Sequence, residues 1–463
     1  MTHKAWVERH DASASERAIG ATASGTATSV SGIGLKRALA VAEEAAFLWA
    51  SRSSVARSSA VTFDILARLD QRLSRLVYKL SERPVLAEPF LQYDSAAFKS
   101  GLTFVTAIVA LRGRVVEVFD HLLARLETQQ EPPCPLASAL TWLDYGEVRP
   151  HVERLLAAAS PALLHLGLVT AVAHRVVPSR ALAQALAADA PALRATALEA
   201  VGRLALKDLR PKLHAALGDD DAACRFWAAW SALRLGDRDA IPVLGRFAAD
   251  QGTFAMPACE MALRALDPDQ AIHVQQRLQS IAGNERLAIS AAGIIGDPTL
   301  AMWLLDSMES PILARRAGAA FCLMTGCDLR RHDLDAEQAV AAAASDSVPV
   351  HRDSEREGSG GQPNPERDVA ASDDDTDDDL AWPDVTRVRK WWDRNRQVFV
   401  AGNRYVAGLP VRVAEMTHVV RVGNQPQRAA AALELALVHP DAALLDVTAP
   451  AHRQIGSSVR PAY

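Results

Sequence analysis

Five Ala-rich stretches in the middle of the chain decide its architecture: Leu193–Ala205 (LRATALEAVGRLA), Arg225–Gly236 (RFWAAWSALRLG), Cys259–Asp267 (CEMALRALD), Leu287–Gly296 (LAISAAGIIG) and Arg315–Gly326 (RRAGAAFCLMTG). Each closes on a small or turn-forming residue, and the closing positions step by 31, 31, 29 and 30 residues. One step earlier, Leu163–His174 has the same character. A fixed step over so many units marks a repeat array. A unit of this length holds two short helices and two turns. The turns are legible as Gly236-Asp237-Arg238-Asp239, Asp267-Pro268-Asp269 and Gly296-Asp297-Pro298. Gly supplies a left-handed closing residue, Asp caps the helix that follows, and Pro fits a first turn. The small Ala side chains allow tight stacking, and one unit cannot bury its apolar face without a neighbour. The step is shorter than the roughly 40–47 residues of HEAT or armadillo repeats and nearer the roughly 33–34 of ankyrin and TPR arrays. Neither the ankyrin Thr-Pro-Leu-His nor the TPR Trp-x-x-Leu-Gly-x-x-Tyr signature is present. The expected fold is therefore an all-α solenoid of short HEAT-like helical hairpins over 136–330, with an N-terminal helical region at 35–130 and a C-terminal helical cap at 382–463.

Outward from the array, the N-terminal region reads as three helical stretches. They are Leu35–Arg52, Thr62–Leu80 with an apolar stripe of Leu66, Leu69, Leu73, Leu76 and Leu80, and Ala96–Glu127. Pro132, Pro133 and Pro135 break the pattern and suggest a boundary. Residues 1–34, rich in Ala, Ser, Thr and Gly, are expected to be disordered and carry no signal-peptide core. Residues 331–381 read as an acidic low-complexity linker or inserted loop, closing on the run Ser372–Asp379. That run lacks the glycine turn and terminal glutamate of an EF-hand loop, so solvated charge is the expected state. Order resumes at Trp382. Val385, Val388, Trp392 and Phe399 share one helical face, and Val413–Val422 with Gln427–His439 form one more helix pair.

Composition agrees with packed helices. The hydrophobic fraction is 49% but the aromatic fraction only 5%, so Ala and Leu carry the core. A net charge of −5 is not that of a protein that coats nucleic acid or an anionic membrane. The five cysteines are scattered without a Cys-x-x-Cys pair, which fits reduced thiols. No run is long and apolar enough for a membrane helix, and a cytoplasmic location is expected.

Catalytic signatures are missing. There is no Walker A loop, no Gly-x-Gly-x-x-Gly after a strand and no Gly-x-Ser-x-Gly elbow. The 13 histidines include no His-Glu dipeptide of the kind that holds iron in deoxyhypusine hydroxylase. No enzyme activity, cofactor or metal is expected. One basic helix needs weighing: Arg387, Arg389, Lys390, Arg394 and Arg396 interleave with Trp391 and Trp392, a pattern that can stack on bases and pair with phosphates. The simpler reading is a core tryptophan with cations on the solvated face. Nucleic acid is thus the alternative partner, and protein the expected one.

Two segments carry a family resemblance. One is Ala42-Glu43-Glu44-Ala45-Ala46-Phe47-Leu48-Trp49 with Arg52 and Leu69–Leu73. The other joins Arg316–Phe321 and Thr325–Leu329 to Trp382-Pro383-Asp384, Trp391-Trp392 and Ala430–Leu437. Together they resemble an uncharacterised family of bacterial HEAT-repeat proteins often encoded near type VI secretion genes. The resemblance implies an accessory or adaptor role, with secretion components or effectors as partners. It supplies no active-site residues. Glu43, Glu44, Trp49 and Arg52 are candidate partner contacts; helix packing would explain the same four residues.

Overall fold

A computed structural model describes residues 32–93, 95, 98–128, 133–336, 377 and 379–458. The N-terminal region is α1 (Gly32–Val55), α2 (Phe63–Ser81), α3 (Ala87–Gln92), α4 (Lys99–Gly113) and α5 (Val116–Glu127). After α6 (Pro133–Trp142) come six helical hairpins. These are α7 (Tyr145–Leu156) with α8 (Pro161–Ala173), α9 (Ser179–Leu186) with α10 (Pro191–Arg203), and α11 (Arg210–Ala216) with α12 (Ala222–Arg234). They continue as α13 (Ile241–Ala249) with α14 (Ala255–Ala265), α15 (Pro268–Gln279) with α16 (Glu285–Ile295), and α17 (Ala301–Ser307) with α18 (Ala314–Thr325). The chain is an all-α solenoid.

The second helices of the hairpins are the stretches quoted above. They stack as one row, each against the next, and the row extends backward through α6 and α4 to α1. Small residues set the spacing. Gly202 lies on Ser231, Gly293 on Ala320 and Gly101 on Ala46, so closely that a Cβ on any of these glycines would strike the neighbouring helix. The first helices cover one side of the row and bury a single face, as Ala181, Leu182 and Ala185 do in α9.

The closing residue is left-handed at Arg175, Ala205, Gly236, Gly296 and Gly326. After α10, Ala205 N donates to Gly202 O (3.2 Å) and Leu206 N to Val201 O (3.0 Å); α12 closes in the same way through Gly236 and Asp237. This paired bonding satisfies carbonyls that a helix end leaves open. The expected closing position 267 differs: Leu266 is extended, and Asp267 stands directly before α15 without a side-chain cap bond. Asp237 and Asp297 cap as expected, accepting from Asp239 N (3.1 Å) and Thr299 N (2.8 Å).

Several local expectations change. The stretch Ala96–Glu127 is two helices, parted where Arg114 adopts a left-handed conformation (φ 55). Pro133 and Pro135 open α6 in first-turn positions that cost no hydrogen bond, and one apolar core runs across them from α1 to α8. Gly32–Gly34 are helical, whereas residues 1–31 lie outside the described residues. Most of the acidic linker, 337–376 and 378, also lies outside them. Its described ends meet: Ala336 N donates to Trp382 O and Asp384 N to Leu334 O, both at 2.8 Å. The linker is thus inserted at one point of the array. Asp377 is not solvated. It is buried between Arg286 (2.6 Å) and Arg316 (2.9 Å), because two guanidiniums compensate its lost hydration.

The C-terminal segment begins as a cap. In α19 (Val385–Asn395), Val388 and Trp392 are buried, and both tryptophans meet Phe321 of α18 edge-on. A ribbon follows, β1 (Tyr405–Val406) paired antiparallel with β2 (Leu409–Pro410), through a turn in which Ala407 and Gly408 both have positive φ. Then come α20 (Val413–Val422), α21 (Gln425–Val438), an extended stretch and α22 (Ala451–Ser458). This segment covers more than the last repeat. It returns along the array and bonds one inner helix after another, at the carbonyl end of each except α12, whose Arg234 donates to it. Ala407 N and Gly408 N reach Leu323 O and Met324 O in α18, and Tyr405 N reaches Gly296 O beyond α16. Arg404 donates to Arg264 O of α14 (2.8 Å), Arg234 of α12 donates to Ala442 O, and Leu444 N reaches Arg203 O of α10 (2.9 Å). Arg453 donates to Ala173 O of α8 and to Thr141 O of α6 (2.9 Å). Helix C-termini carry open carbonyls and partial negative charge, which backbone N–H groups and guanidiniums complement.

Candidate functional site

The returning segment joins the two ends of the solenoid. Arg52 of α1 clasps the Asp70 carboxylate of α2 (2.5 Å) and donates to Thr448 O (3.0 Å) and Ala449 O (3.1 Å). Asp70, itself buried, also accepts from Ala451 N (2.8 Å). At the start of α21, Gln425 N donates to Val61 O (2.8 Å) and Gln425 Nε2 to Ala56 O (2.9 Å). The first helices therefore sit beside the last helix pair.

Between these joined ends lies a cleft of 1820 Å³ on the inner face of the row. Its wall is built at helical spacing: Met256, Glu260 and Arg264 from α14, Ser290 and Ile294 from α16, Arg316, Ala320 and Leu323 from α18. The end of α1 with the loop at 56–60, and the start of α21, close the far side.

Buried charge fixes the walls. Glu434 of α21 bonds Arg264 (2.9 Å) and Arg404 at once, and Arg264 also pairs with Glu260 (3.1 Å). Burial pushes Arg404 below the usual arginine value. Burial lowers Arg264 as well, but Glu260 and Glu434 more than offset it. An arginine stays protonated under either influence, so the network holds two cations against two carboxylates. Cys322 and Cys327 also line the cleft. The Cys327 thiol is pushed up by its hydrogen bond with the Cys322 sulfur and by burial, so the thiolate is disfavoured. Among the described residues no group of three or more His, Cys, Asp or Glu side chains is placed to hold a metal ion.

The candidate residues from sequence fall into two separate sets. On α1, Glu43 accepts from the Tyr93 hydroxyl (2.8 Å), Glu44 pairs with Arg72 (2.5 Å), and Trp49 is buried with its ring stacked on Phe104. Trp49 borders the cleft, but its ring and Arg52 both serve internal packing. None of the α19 set lines the cleft. Arg387 pairs with Asp333 (3.2 Å) and Asp384 (3.1 Å), and Arg389 with Asp306 (2.7 Å) and Glu309 (2.8 Å). Trp391 is half-buried against Phe321 and stacked near His332. Lys390, Arg394 and Arg396 are exposed. Stacking bases on this helix would require rings that are already packed.

Sequence reasoning missed Glu434, Arg404, Arg264, Asp70 and Asp377. A signal existed for two of them. Glu434 interrupts the apolar run Ala430–Leu437, and Arg264 interrupts Met261–Leu266. A lone charge inside a buried helix needs a partner.

Residues 179–264 match the family described as HEAT repeats. The match begins at the first residue of α9 and ends one residue before the end of α14, spanning three hairpins. No curated protein and no solved structure matches the chain. The matched hairpins and the continuous row make this a solenoid of HEAT-like repeats, an architecture that commonly serves as a protein-interaction scaffold. Among the described residues no helix is long and apolar enough to cross a membrane.

Proposed function

We propose that this chain is a non-catalytic adaptor of the cytoplasm that takes a segment of a partner protein into the inner cleft. The carrying observation is the cleft itself. At 1820 Å³ it exceeds the roughly 300–1,000 Å³ of small-molecule pockets, and its mixed wall of apolar, hydroxyl and paired charged groups suits a polypeptide. The resemblance to secretion-associated HEAT proteins points to a component or effector of a type VI secretion system as that partner. The nucleic-acid reading loses support, since Arg387 and Arg389 are matched by carboxylates.

Affinity purification of the tagged full chain from its native cell, with partners identified by mass spectrometry, tests the reading. Ala319→Trp, which fills the cleft wall, should abolish recovery of the partner. Lys390→Ala with Arg394→Ala should leave recovery intact. Equal recovery by the Ala319→Trp chain would refute the cleft. Retention of nucleic acid that falls steeply with salt would favour the basic helix instead.

A further inference from the structure

Four inner helices carry an arginine at the same place near their start. Arg194 of α10, Arg225 of α12, Arg286 of α16 and Arg316 of α18 stand ten or eleven residues before the left-handed closing residues Ala205, Gly236, Gly296 and Gly326. The first two are engaged from inside the array. Arg194 pairs with Asp219 of the next hairpin (2.9 Å) and donates to Ala188 O and Asp189 O (both 2.9 Å). Arg225 donates to Asp219 O (2.6 Å) and Asp220 O (2.8 Å). The last two share a carboxylate that no repeat supplies. Asp377 belongs to the acidic segment inserted between Ala336 and Trp382, and its oxygens are divided between the two guanidiniums. Oδ2 accepts from Arg286 (2.6 Å) and Oδ1 from Arg316 (2.9 Å). Ser290, one turn after Arg286 on α16, accepts from Arg316 (3.4 Å).

This seat belongs to the wall of the cleft, which Arg316 and Asp377 both line. Asp377 is 7% exposed, so its carboxylate has given up most of its water for two charge-assisted bonds. The stacking of α16 on α18 runs through Gly293 and Ala320 and does not involve it. What keeps Asp377 in place is local. Leu380 N donates to Asp377 O (3.0 Å), Leu380 O accepts from Arg315, and the Arg315 guanidinium lies over the Trp382 ring (5.4 Å). The carboxylate is therefore a tethered ligand, presented to the two arginines at high effective concentration.

We propose that the Arg286–Arg316 pair receives an aspartate or glutamate of the partner segment, and that Asp377 holds the same seat in cis until the partner displaces it. The inference rests on the reading of the cleft as the partner site and gives that partner its chemistry, an acidic stretch of polypeptide. The chain's own acidic segment then sets a threshold: only a partner that competes with a tethered carboxylate enters.

Fluorescence anisotropy of a labelled peptide with the sequence of residues 372–379, titrated with the full chain, tests the assignment. A comparator peptide carries Asn at every Asp. Asp377→Ala vacates the seat, and that chain should bind the acidic peptide saturably and the comparator not at all. The wild-type chain should bind the acidic peptide about tenfold more weakly or worse, because Asp377 competes from within. Asp377→Asn, which keeps the shape but not the charge, should fall between the two, and it serves in place of Asp377→Ala if that chain does not fold. Adding Arg286→Gln or Arg316→Gln to Asp377→Ala should weaken binding about tenfold or more, the range of one hydrogen bond to a charged group. Adding Lys390→Ala with Arg394→Ala should leave it unchanged. Equal affinity of the wild-type and Asp377→Ala chains overturns the proposal, as does binding that survives both arginine substitutions in chains that still melt cooperatively. The peptide titration and the affinity purification fail separately. A partner recovered through the cleft, with no peptide binding to Asp377→Ala, overturns the seat and leaves the adaptor reading standing. Peptide binding without any recovered partner supports the seat and counts against the adaptor.

Discussion

Two regions of this molecule reach helical order by different routes. From Pro161 to Thr325 every inner helix packs on the helix one repeat away, and all but α14 close with a turn made by their own neighbours in sequence. From Arg404 to Gln454 the chain binds residues that are hundreds of positions distant: Arg52 to Thr448, Arg453 to Thr141, Arg234 to Ala442. The first region is a sum of near-identical local interfaces. The second is held by backbone and guanidinium hydrogen bonds that run both ways between the returning segment and the helices, and it turns an open array into a closed one. The difference teaches that a regular solenoid edge, lined with carbonyls, is itself a binding surface, and that here the chain's own C-terminal segment uses it.

Substitutions separate the two regimes. The largest effect should come from Glu434→Gln, which leaves Arg264 and Arg404 buried without a carboxylate between them. Breaking a buried ion pair costs about 3–5 kcal/mol, and the urea midpoint should fall accordingly. Next, Gly326→Ala and Gly236→Ala distinguish a cap from a cap that also receives the returning segment. Both glycines are left-handed, and a non-glycine residue there costs about 1–2 kcal/mol. At Gly236 a Cβ meets nothing within 4 Å, whereas at Gly326 it would overlap Ala407 O. Gly326→Ala should therefore cost an extra amount of about 1–3 kcal/mol, the range for overpacking. Equal losses at the two sites would mean the ribbon does not seat on α18.

A smaller effect should appear with pH. His174 closes α8 beside Arg453; burial, and secondarily that guanidinium, hold it below the usual histidine value against a hydrogen bond to Leu140 O. The unfolded chain therefore takes up this proton first as pH falls below about 6.5. Its contribution is complete above that pH and drains as pH falls toward the folded value. His174→Gln should flatten the decline of melting temperature between pH 7 and 5, by no more than about 1.4 kcal/mol per pH unit. The smallest effect belongs to the exposed basic face. Lys390→Ala with Arg394→Ala should change stability by less than about 0.5 kcal/mol in thermal denaturation.

The same contrast explains what could be read in advance. The row of inner helices was legible because period, Ala content and closing glycines all encode contacts between neighbours. The left-handed turn at Arg114 escaped because no glycine sits at the closing position itself. The ribbon at Tyr405–Pro410 escaped because two-residue strands have no periodicity, although the Ala407-Gly408 turn hints at them. The cleft was illegible for a deeper reason. Its far wall depends on Gln425 meeting Val61 and Ala451 meeting Asp70, and no local pattern announces a pairing across so much chain. Arg52 shows the cost: singled out as a partner contact, it is already bound to Asp70, Thr448 and Ala449.

Hydrogen exchange on the intact chain tests the returning segment most directly. The amides of Tyr405, Ala407, Gly408, Leu444 and Ala451 donate to Gly296, Leu323, Met324, Arg203 and Asp70. They should exchange slowly, at rates approaching those of the inner-helix amides at 228–233. Exchange of all five at open-chain rates, while the inner helices stay protected, would mean the carbonyl edge is bare and the solenoid open.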